Sequence, residues 1–389
     1  MSKLLDIIEK PLPGEWGSDD DAGKGTPVLR TTNFTNNGTI DYSNVVTRTI
    51  DAKKMKEKYL INGDIIIEKS GGSPAQPVGR VVFFEGGNNK YLFNNFTSVI
   101  RLKDKNVNSP KYLFYHLFYN YRMGGTRKFT NKTTGISNLK LDRFIKETEI
   151  FLPSLVTQKR ISISLDTAVE LLAMRKQQLA ELDNLIKSTF YDMFGDPVTN
   201  EKGWRIKRLS EIGDLNRGIS KHRPRNEPTL LGGIHPLIQT GDIANADFII
   251  RQYKQTYSDL GLKQSKKWEA GTLCITIAAN IAKTAILGFD ACFPDSVVGF
   301  NANEKTNNIF VYIWFDFFQK IIEAQAPESA QKNINLRILN ELDIISPPIE
   351  LQTQFANFVT KIEEQKALVK QAIDETQHLF DSLMSEYFE

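Results

Sequence analysis

The chain has 389 residues, of which 41% are hydrophobic and 10% aromatic, and its net charge is +3. This length predicts two or three domains, and this much apolar material excludes a disordered chain. Two cysteines exclude a disulfide-built scaffold, and no apolar run reaches the roughly 18 residues of a membrane span. The apolar patch at residues 1–8 is too short for a secretory signal, so we expect a cytoplasmic protein that binds no membrane.

The charge is distributed unevenly along the chain. Residues 1–157 hold 23 Lys and Arg against 16 Asp and Glu, a net charge of +7, whereas residues 352–389 hold 3 against 7, a net charge of −4. The segments between them are neutral overall. A phosphate-binding surface is therefore not expected on the last segment.

Residues 1–153 predict a compact α+β domain. Short β-rich runs alternate with Gly, Pro and Asn turns, as at residues 81–88, and the aromatic run at residues 111–121 is helix-like. Residues 196–347 have the same character, with an aromatic helix-like run at residues 309–322. We therefore expect two α+β domains of about 150 residues each.

A long amphipathic helix follows each domain, and we place these helices at residues 154–195 and 348–389. Each begins just after proline, where a helix can start but cannot continue from upstream. Their apolar residues recur at alternating steps of four and three, the heptad pattern of a coiled coil. The seam consists of Ile161, Leu165, Ala168, Leu172, Leu179, Leu182 and Ile186 in the first helix and Phe355, Val359, Ile362, Val369, Ile373 and Phe380 in the second, with polar breaks at Arg175, Thr189, Lys366 and Thr376.

The chain contains an internal repeat. The helical run that starts at Gln158 repeats from Gln352, and the blocks before the two helices repeat less closely. The echoing segments are 3–7 with 208–212, 26–34 with 235–243, 60–67 with 268–275, and 138–141 with 335–338. The predicted fold is therefore α+β, with two α/β domains separated by two long antiparallel coiled-coil helices and related by a pseudo-twofold internal repeat.

The order globular, helix, globular, helix has a geometric consequence. Each helix carries one apolar stripe, and the simplest partner for each stripe is the other helix. An antiparallel pair would place the two domains at opposite ends of a rod roughly 50–55 Å long. Such a molecule could contact two separated sites on one DNA duplex, with the rod as a ruler.

Several motifs resemble the specificity (S) subunit of type I restriction-modification enzymes. In that family a helix beginning Leu-Pro-x-Leu-x-x-Gln follows each of two unlike domains. Here the motif is Leu152-Pro153-Ser154-Leu155-Val156-Thr157-Gln158, and its second copy is Pro347-Pro348-Ile349-Glu350-Leu351-Gln352. Gly203-Trp204 and residues 236–242 resemble the start of a target-recognition domain, whereas the first half lacks the Gly-Trp pair.

The resemblance implies a non-catalytic subunit that binds double-stranded DNA. Each target-recognition domain would read one half of a bipartite site, and the helices would fix the unread spacer and dock two methyltransferase (M) subunits. The M subunits would carry S-adenosylmethionine, and restriction (R) subunits would add ATP- and Mg-dependent cleavage. No cofactor is expected in this chain.

The candidate DNA-binding residues of the first domain are cations, amides and hydroxyls near glycines, the side chains that contact phosphates and base edges. The densest group lies at residues 119–135, where Gly124-Gly125 permits close backbone approach. The candidates are Arg30, Thr31, Thr32, Asn33, Lys69, Ser70, Arg80, Arg122, Arg127, Lys128, Asn131, Lys132, Thr133 and Thr134.

The second domain has a basic cluster at residues 217–225, which is dense for a block that is neutral overall. Residues 239–242 could read bases or cap a strand. The candidates are Arg217, Lys221, His222, Arg223, Arg225, Gln239, Thr240, Asp242, Lys283, Gln331, Lys332 and Asn333.

Enzymatic and metal-binding interpretations have little support. Residues 346–349 resemble the Pro-Pro loop of adenine methyltransferases but lack the aromatic residue that would stack a flipped base. Residues 23–26 lack the spacing of a phosphate-binding loop, and the four His and two Cys lack metal-ligand spacing. The alternative from another class is a coiled-coil adaptor whose globular ends bind proteins; the basic glycine-containing loops favour DNA.

Overall fold

The computed structural model describes residues 1–21, 23–133, 136–222, 224–278, 282–325 and 335–389. It forms two compact units, Met1–Met174 with Ala372–Glu389, and Arg175–Gln371. These units divide each long helix, so the domain boundaries expected at 153, 195 and 347 remain a prediction.

The first unit is a mixed α+β structure, as expected. Its elements are β1 (Ser2–Lys3), α1 (Leu4–Ile7), β2 (Leu12–Pro13), β3 (Ser18–Asp19), β4 (Thr26–Leu29), a 3-10 turn (Thr31–Asn33), β5 (Val46–Thr49), α2 (Ala52–Met55), β6 (Ile65–Glu68), β7 (Ser70–Gly71), β8 (Val81–Phe83), β9 (Leu92–Phe93), β10 (Thr97–Ile100), α3 (Pro110–Arg122), a 3-10 turn (Arg127–Phe129), β11 (Thr130–Thr133), β12 (Ile136–Leu139), α4 (Leu141–Glu147), β13 (Glu149–Ile150) and α5 (Leu155–Phe194).

Four sheets organise this unit. An antiparallel sheet has the order β2-β10-β6-β8, and a second has the order β3-β5-β4-β9, in which β4 and β9 are parallel. The smaller sheets are β11-β12-β7 and β1-β13. The aromatic helix α3 packs on the first sheet, and its Tyr112 and Leu113 are almost fully buried. A fully buried side chain of this size contributes about 1.5–3 kcal/mol.

The second unit repeats this order of elements after the end of α5. They are β14 (Ile206–Arg208), α6 (Leu209–Ile212), β15 (Gly213–Arg217), a 3-10 turn (Pro228–Leu230), β16 (Leu231–Leu237), α7 (Thr240–Ala244), β17 (Ile249–Ile250), β18 (Gln255–Tyr257), α8 (Asp259–Lys263), β19 (Lys267–Trp268), β20 (Leu273–Thr276), β21 (Thr284–Leu287), β22 (Ala291–Cys292), β23 (Val297–Ala302), α9 (Asn308–Gln325), α10 (Leu336–Glu341), β24 (Asp343–Ile345) and α11 (Ile349–Phe388).

The two larger sheets of the second unit resemble those of the first, although β17 adds a fifth strand to one of them. The order β15-β23-β20-β21-β17 corresponds to β2-β10-β6-β8, and β18-β16-β22 contains a parallel pair like that of β4 and β9. In both units the strand before the long helix pairs with the first strand, β13 with β1 and β24 with β14. The predicted internal repeat is therefore present in the fold.

The sequence echo at residues 138–141 and 335–338 is out of register. Asn138 lies in β12 and hydrogen-bonds to Ser70, whereas Asn335 caps α10 by accepting from the Ile338 amide at 2.9 Å. The structural counterpart of Asn335 is Lys140, which precedes α4. The two segments have similar residues in the same order but different backbone conformations, so comparison of the sequences alone aligned them incorrectly.

The helices α5 and α11 pair in an antiparallel manner. In the first unit the start of α5 packs against the end of α11, with Ile161, Leu165 and Phe380 buried together. In the second unit the end of α5 packs against the start of α11, with Ile186 and Phe355 in one core. Both helices have 40 residues and start at equivalent positions of the repeat, which confirms the predicted relation between them.

The glutamine of each Leu-Pro-x-Leu-x-x-Gln motif fastens the globular part to its helix. In the second unit the Gln352 amide is fully buried: its Oε1 accepts from Thr306 Oγ1 at 2.7 Å, and its Nε2 donates to the Pro347 carbonyl at 2.8 Å. In the first unit Gln158 Oε1 accepts from the Ser109 amide at 2.9 Å, and its Nε2 donates to the Pro153 carbonyl at 2.9 Å. Both glutamines therefore join the loop before the aromatic helix to the start of the long helix.

The Gly203-Trp204 motif has a comparable structural role. The Trp204 indole Nε1 donates to the carbonyl of Phe194 at 2.8 Å, and so satisfies one of the unpaired carbonyls at the end of α5. Gly203 adopts a positive φ of 67°, which favours glycine. The motif therefore seats the start of the second globular part against the helix end.

Candidate nucleic-acid interface

The loop after α3 presents the clearest exposed cations of the first unit. Phe129 is buried, and the buried hydroxyl of Thr126 donates to the Val78 carbonyl at 3.1 Å, so the loop is anchored from within. Arg127 and Lys128, which lie between these two anchors, are exposed. The loop backbone is therefore held in place while its cations face solvent, as phosphate contacts require.

The sheet β11-β12-β7 places polar residues in a row beside this loop. Ser70 lies directly opposite Asn138, and Asn138 lies directly opposite Asn131, so the three side chains share one face. The Ser70 hydroxyl donates to Asn138 Oδ1 at 2.7 Å, and Asn131 is exposed. Asn138 was not among the sequence candidates, because only the strand register brings it between two that were.

Other candidates of this loop have different positions. Arg122 pairs with Asp381 near the end of α11 at 2.6 Å, so it also ties the loop to the helix. Lys132 and Thr133 belong to β11, and Thr134 lies outside the described residues. Lys69 is half-buried, and burial, reinforced by the charge of Lys58, lowers the pKa of its ammonium group.

Two candidates of the first unit are held by internal contacts. Arg80 forms a two-pronged ion pair with buried Glu68, at 2.9 and 3.3 Å, and donates to the Thr31 carbonyl. Asn33 is buried, and its amide donates to the carbonyls of Asp41 and Asn44 at 3.0 and 3.1 Å. We therefore assign structural roles to both side chains and leave them out of the proposed surface.

The neighbours of Asn33 are more accessible. Thr32 is exposed, and Thr31 is half-buried. The Arg30 guanidinium donates to the Asn44 carbonyl at 3.3 Å, while its buried Nε has no hydrogen-bond partner within the protein. The unpaired donor of Arg30 is therefore buried and does not face solvent.

The basic cluster of the second unit follows β15. Arg217 ends that strand and is exposed, and Lys221 and His222 are exposed in the next loop, where both backbone amides donate to Gln264 Oε1. Arg225 pairs with Asp295. Arg223 lies outside the described residues.

A polar groove of about 430 Å³ adjoins this cluster. Gln239 is exposed at its wall, and its Nε2 donates to Gln255 Oε1 at 3.2 Å. Asp242 accepts from the Gln239 amide at 2.8 Å and so caps α7; its structural role is at a helix and not at the strand considered from the sequence. The polar groove residues that sequence reasoning missed are Asn226, Asn245, Lys254 and Gln255.

The remaining candidates of the second unit are scattered. Thr240 begins α7 and is half-buried, and Lys283 is exposed at the start of β21. Gln331, Lys332 and Asn333 lie outside the described residues. Among the described helices, none combines the length and apolar character needed to cross a membrane.

The sequence of this chain matches a known family twice. A family model described as the type I restriction modification DNA specificity domain matches residues 2–184 and again residues 201–378. The chain belongs to this family. The two matches coincide with the two repeats of the fold, so each repeat is one specificity domain with most of its helix.

A curated protein and two solved structures are similar to this chain over most or all of its length. A protein named as the putative type I restriction enzyme MjaX specificity subunit, from Methanocaldococcus jannaschii, is 22% identical over 372 residues, which cover 94% of this chain and 86% of that protein. The crystal structure of a type I restriction-modification S subunit from M. genitalium superposes with a TM-score of 0.63 at 15% identity, covering 100% of this chain and 95% of that one. A structure from work on assembly and conformational transition of the type I system gives 0.57 at 17% identity, covering 100% and 97%.

Proposed function

We propose that this specificity subunit recognises a bipartite DNA sequence, one half with each repeat. The observation that carries the proposal is that one fold occurs twice with different exposed side chains. The first repeat presents Arg127, Lys128 and Asn131, whereas the second presents Arg217 and Gln239. Two copies of one scaffold with unlike polar surfaces suit a site whose two halves differ in sequence.

The chemistry of these surfaces fits DNA. Exposed Arg and Lys side chains would contact phosphates and fix the position of the protein on the duplex. Exposed amides such as those of Asn131, Gln239 and Gln255 would donate to and accept from base edges in the major groove. The ion-paired Arg225 would have to exchange Asp295 for a phosphate.

The helices are proposed to dock two methyltransferase subunits. Met174 and Leu368 occupy equivalent positions of the repeat and are 58% and 66% exposed, and Leu185 and Leu379 form a second equivalent pair at 43% and 53%. In each helix the two exposed residues are separated by close to three full turns, so they share one face. Solvent-exposed apolar side chains repeated in this way support one docking face on each helix.

The subunit would itself be non-catalytic. S-adenosylmethionine, ATP and Mg would be bound by M and R subunits, and this chain would contribute the choice of DNA sequence. The antiparallel helices would set the unread spacer. Four residues inserted after Lys176 would lengthen the helix by about 6 Å and should change the spacer while both half-sites stay the same.

Adenine methylation across the genome tests the proposal directly. The source strain is compared with a deletion of this gene and with the deletion complemented by the intact gene. We expect one motif, two short defined halves around a fixed gap, to lose methylation in the deletion and to regain it on complementation. No change of any motif while the M subunit is expressed would contradict the proposal.

Salt dependence separates DNA recognition from the adaptor function. The purified complex is titrated with the motif DNA and with a scrambled duplex at several salt concentrations. A DNA-reading subunit should bind the motif more tightly, with an affinity that falls steeply as salt increases. A protein adaptor would show neither the sequence preference nor the steep slope.

A further inference from the structure

A charged layer interrupts the apolar seam of the helix pair in the second unit. Lys366 of α11 lies 2.7 Å from Asp183 of α5 and 2.7 Å from Glu363 one turn earlier in α11. The side chains of Lys366 and Glu363 are each only 10% exposed. Burial raises the pKa of Glu363, whereas for Lys366 the hydrogen bonds to both carboxylates outweigh burial and raise its pKa. Asp183 is 49% exposed, so the layer is a buried Lys366–Glu363 pair joined across the seam to a half-exposed carboxylate of α5.

The equivalent layer in the first unit is neutral. The internal repeat places Val169, Leu172 and Gln377 at the positions of Glu363, Lys366 and Asp183 respectively. Leu172 is buried, and Val169 packs against the core of that unit. Gln377 donates its amide to Asp381 at 3.2 Å on its own helix. The charged layer is therefore one of the positions at which the two halves of the helix pair differ, together with Arg175, Thr189 and Thr376.

This asymmetry bears on the choice of partner helix. Because α5 and α11 have equal length and matching apolar positions, two copies of the chain could also pair α5 with α5 or α11 with α11. Applying the internal repeat to those pairs places Asp183 opposite Leu172 of the other chain, and Lys366 opposite Gln377. In the first case a carboxylate meets an apolar side chain, and in the second a buried lysine loses one of its two carboxylates.

We propose that the Asp183–Lys366–Glu363 layer is a pairing-specificity element that makes α5 select α11 and disfavours pairs of identical helices between two chains. In a pair of α11 helices Lys366 would keep Glu363 but lose Asp183, and in a pair of α5 helices Asp183 would lose Lys366, so each pair lacks an ion pair that the native pair makes. Polar residues at single seam positions select partner and register in coiled coils by this means. The proposal does not depend on what the globular parts bind.

The layer matters when two chains meet before their own helices have paired. Within one chain, the linkage of α5 and α11 already favours their pairing. However, the whole second globular part lies between α5 and α11 in the chain, so the apolar seam of α5 is complete before its partner has been synthesised. The charged layer disfavours association between the α5 seams of two different chains.

Two variants remove the asymmetry in opposite ways. The first, D183Q/E363V/K366L, copies the neutral layer into the second unit. The second, V169E/L172K/Q377D, copies the charged layer into the first unit and leaves the original layer intact. In both variants the two layers are alike, so at this layer pairs of identical helices are as well matched as the native pair.

The test is refolding of the full chain from denaturant at several protein concentrations, followed by size-exclusion chromatography with light scattering. We expect the dimer fraction of both variants to exceed that of the wild type. The increase should be about tenfold if the layer disfavours pairs of identical helices by a factor of about ten. Dimers that arise by exchange of α11 between chains retain the native pairing and should form equally in all three proteins. Equal dimer fractions in the wild type and in the folded variants would overturn the proposal. Far-UV circular dichroism identifies a variant that fails to fold, and the other variant then decides.

Discussion

The buried glutamine at the start of α11 provides a sharp test of how each globular part is fastened to its helix. Replacement of Gln352 by methionine keeps the length of the side chain but removes its hydrogen bonds. The Thr306 hydroxyl, which is 6% exposed, and the Pro347 carbonyl would each lose a partner at 2.7–2.8 Å. Each buried group left unpaired costs about 1–3 kcal/mol, so we expect a total loss of about 2–6 kcal/mol.

Tryptophan fluorescence is the suitable assay, because three of the four tryptophans, Trp204, Trp268 and Trp314, lie in the second unit. For a unit of this size, a loss of about 3 kcal/mol should lower the unfolding midpoint by about 6–12 °C. The matched control is Gln354→Met, the same substitution at an exposed position two residues further along α11. If Gln352→Met unfolds at the temperature of this control, the glutamine does not fasten the domain and the reasoning is refuted.

Three further predictions follow from the same structure. Burial lowers the pKa of His116 to about 4, so the unfolded chain binds a proton before the folded protein does as pH falls. The free energy of unfolding should therefore decrease by about 2 kcal/mol between about pH 7.5 and pH 5. Urea titrations should show this decrease in the wild type but not in His116→Gln, and an equal pH dependence in both proteins would contradict the prediction. Phe190 is fully buried among aromatic rings, so Phe190→Ala should cost about 3–5 kcal/mol by creating a cavity; a loss under about 1 kcal/mol in denaturant unfolding would show that the site collapses freely. Substitution of Arg127 and Lys128 by glutamine should reduce the magnitude of the slope of log affinity against log salt concentration by about two for motif DNA. The control Lys361→Gln, at an exposed position on α11, should leave this slope unchanged. A slope equal to that of the wild type in the Arg127 and Lys128 variant would show that the loop does not contact DNA.

Local patterns in the sequence determined the architecture to a large extent. The heptad steps predicted two helices, and α5 (Leu155–Phe194) and α11 (Ile349–Phe388) span equivalent positions of the repeat. The aromatic runs became α3 and α9, and the prolines at 153 and 347–348 lie just before the long helices. Helix periodicity and proline punctuation act within a few residues, so the sequence carries them explicitly.

Only the tertiary structure shows which candidate side chains are accessible for DNA contacts and which are held by internal contacts. Arg80 and Asn33 have the composition of DNA contacts, but Glu68 lies 12 residues from Arg80, and the carbonyls that hold Asn33 lie 8 and 11 residues away. Conversely, Asn138 joins the polar row only through strand register, and Gln255 meets Gln239 across two strands. A composition pattern does not record whether a polar group already has a partner.

The same distinction applies to the helix seam. The sequence identified Lys366 as a break in the apolar pattern, and a break of this kind could equally have faced solvent. Only the pairing of α11 with α5 brings Asp183 within 2.7 Å and gives the buried lysine a carboxylate on the other helix. Periodicity fixes which face of a helix is apolar, because it depends on one helix alone, whereas the partner of each polar seam residue depends on how two distant segments pack.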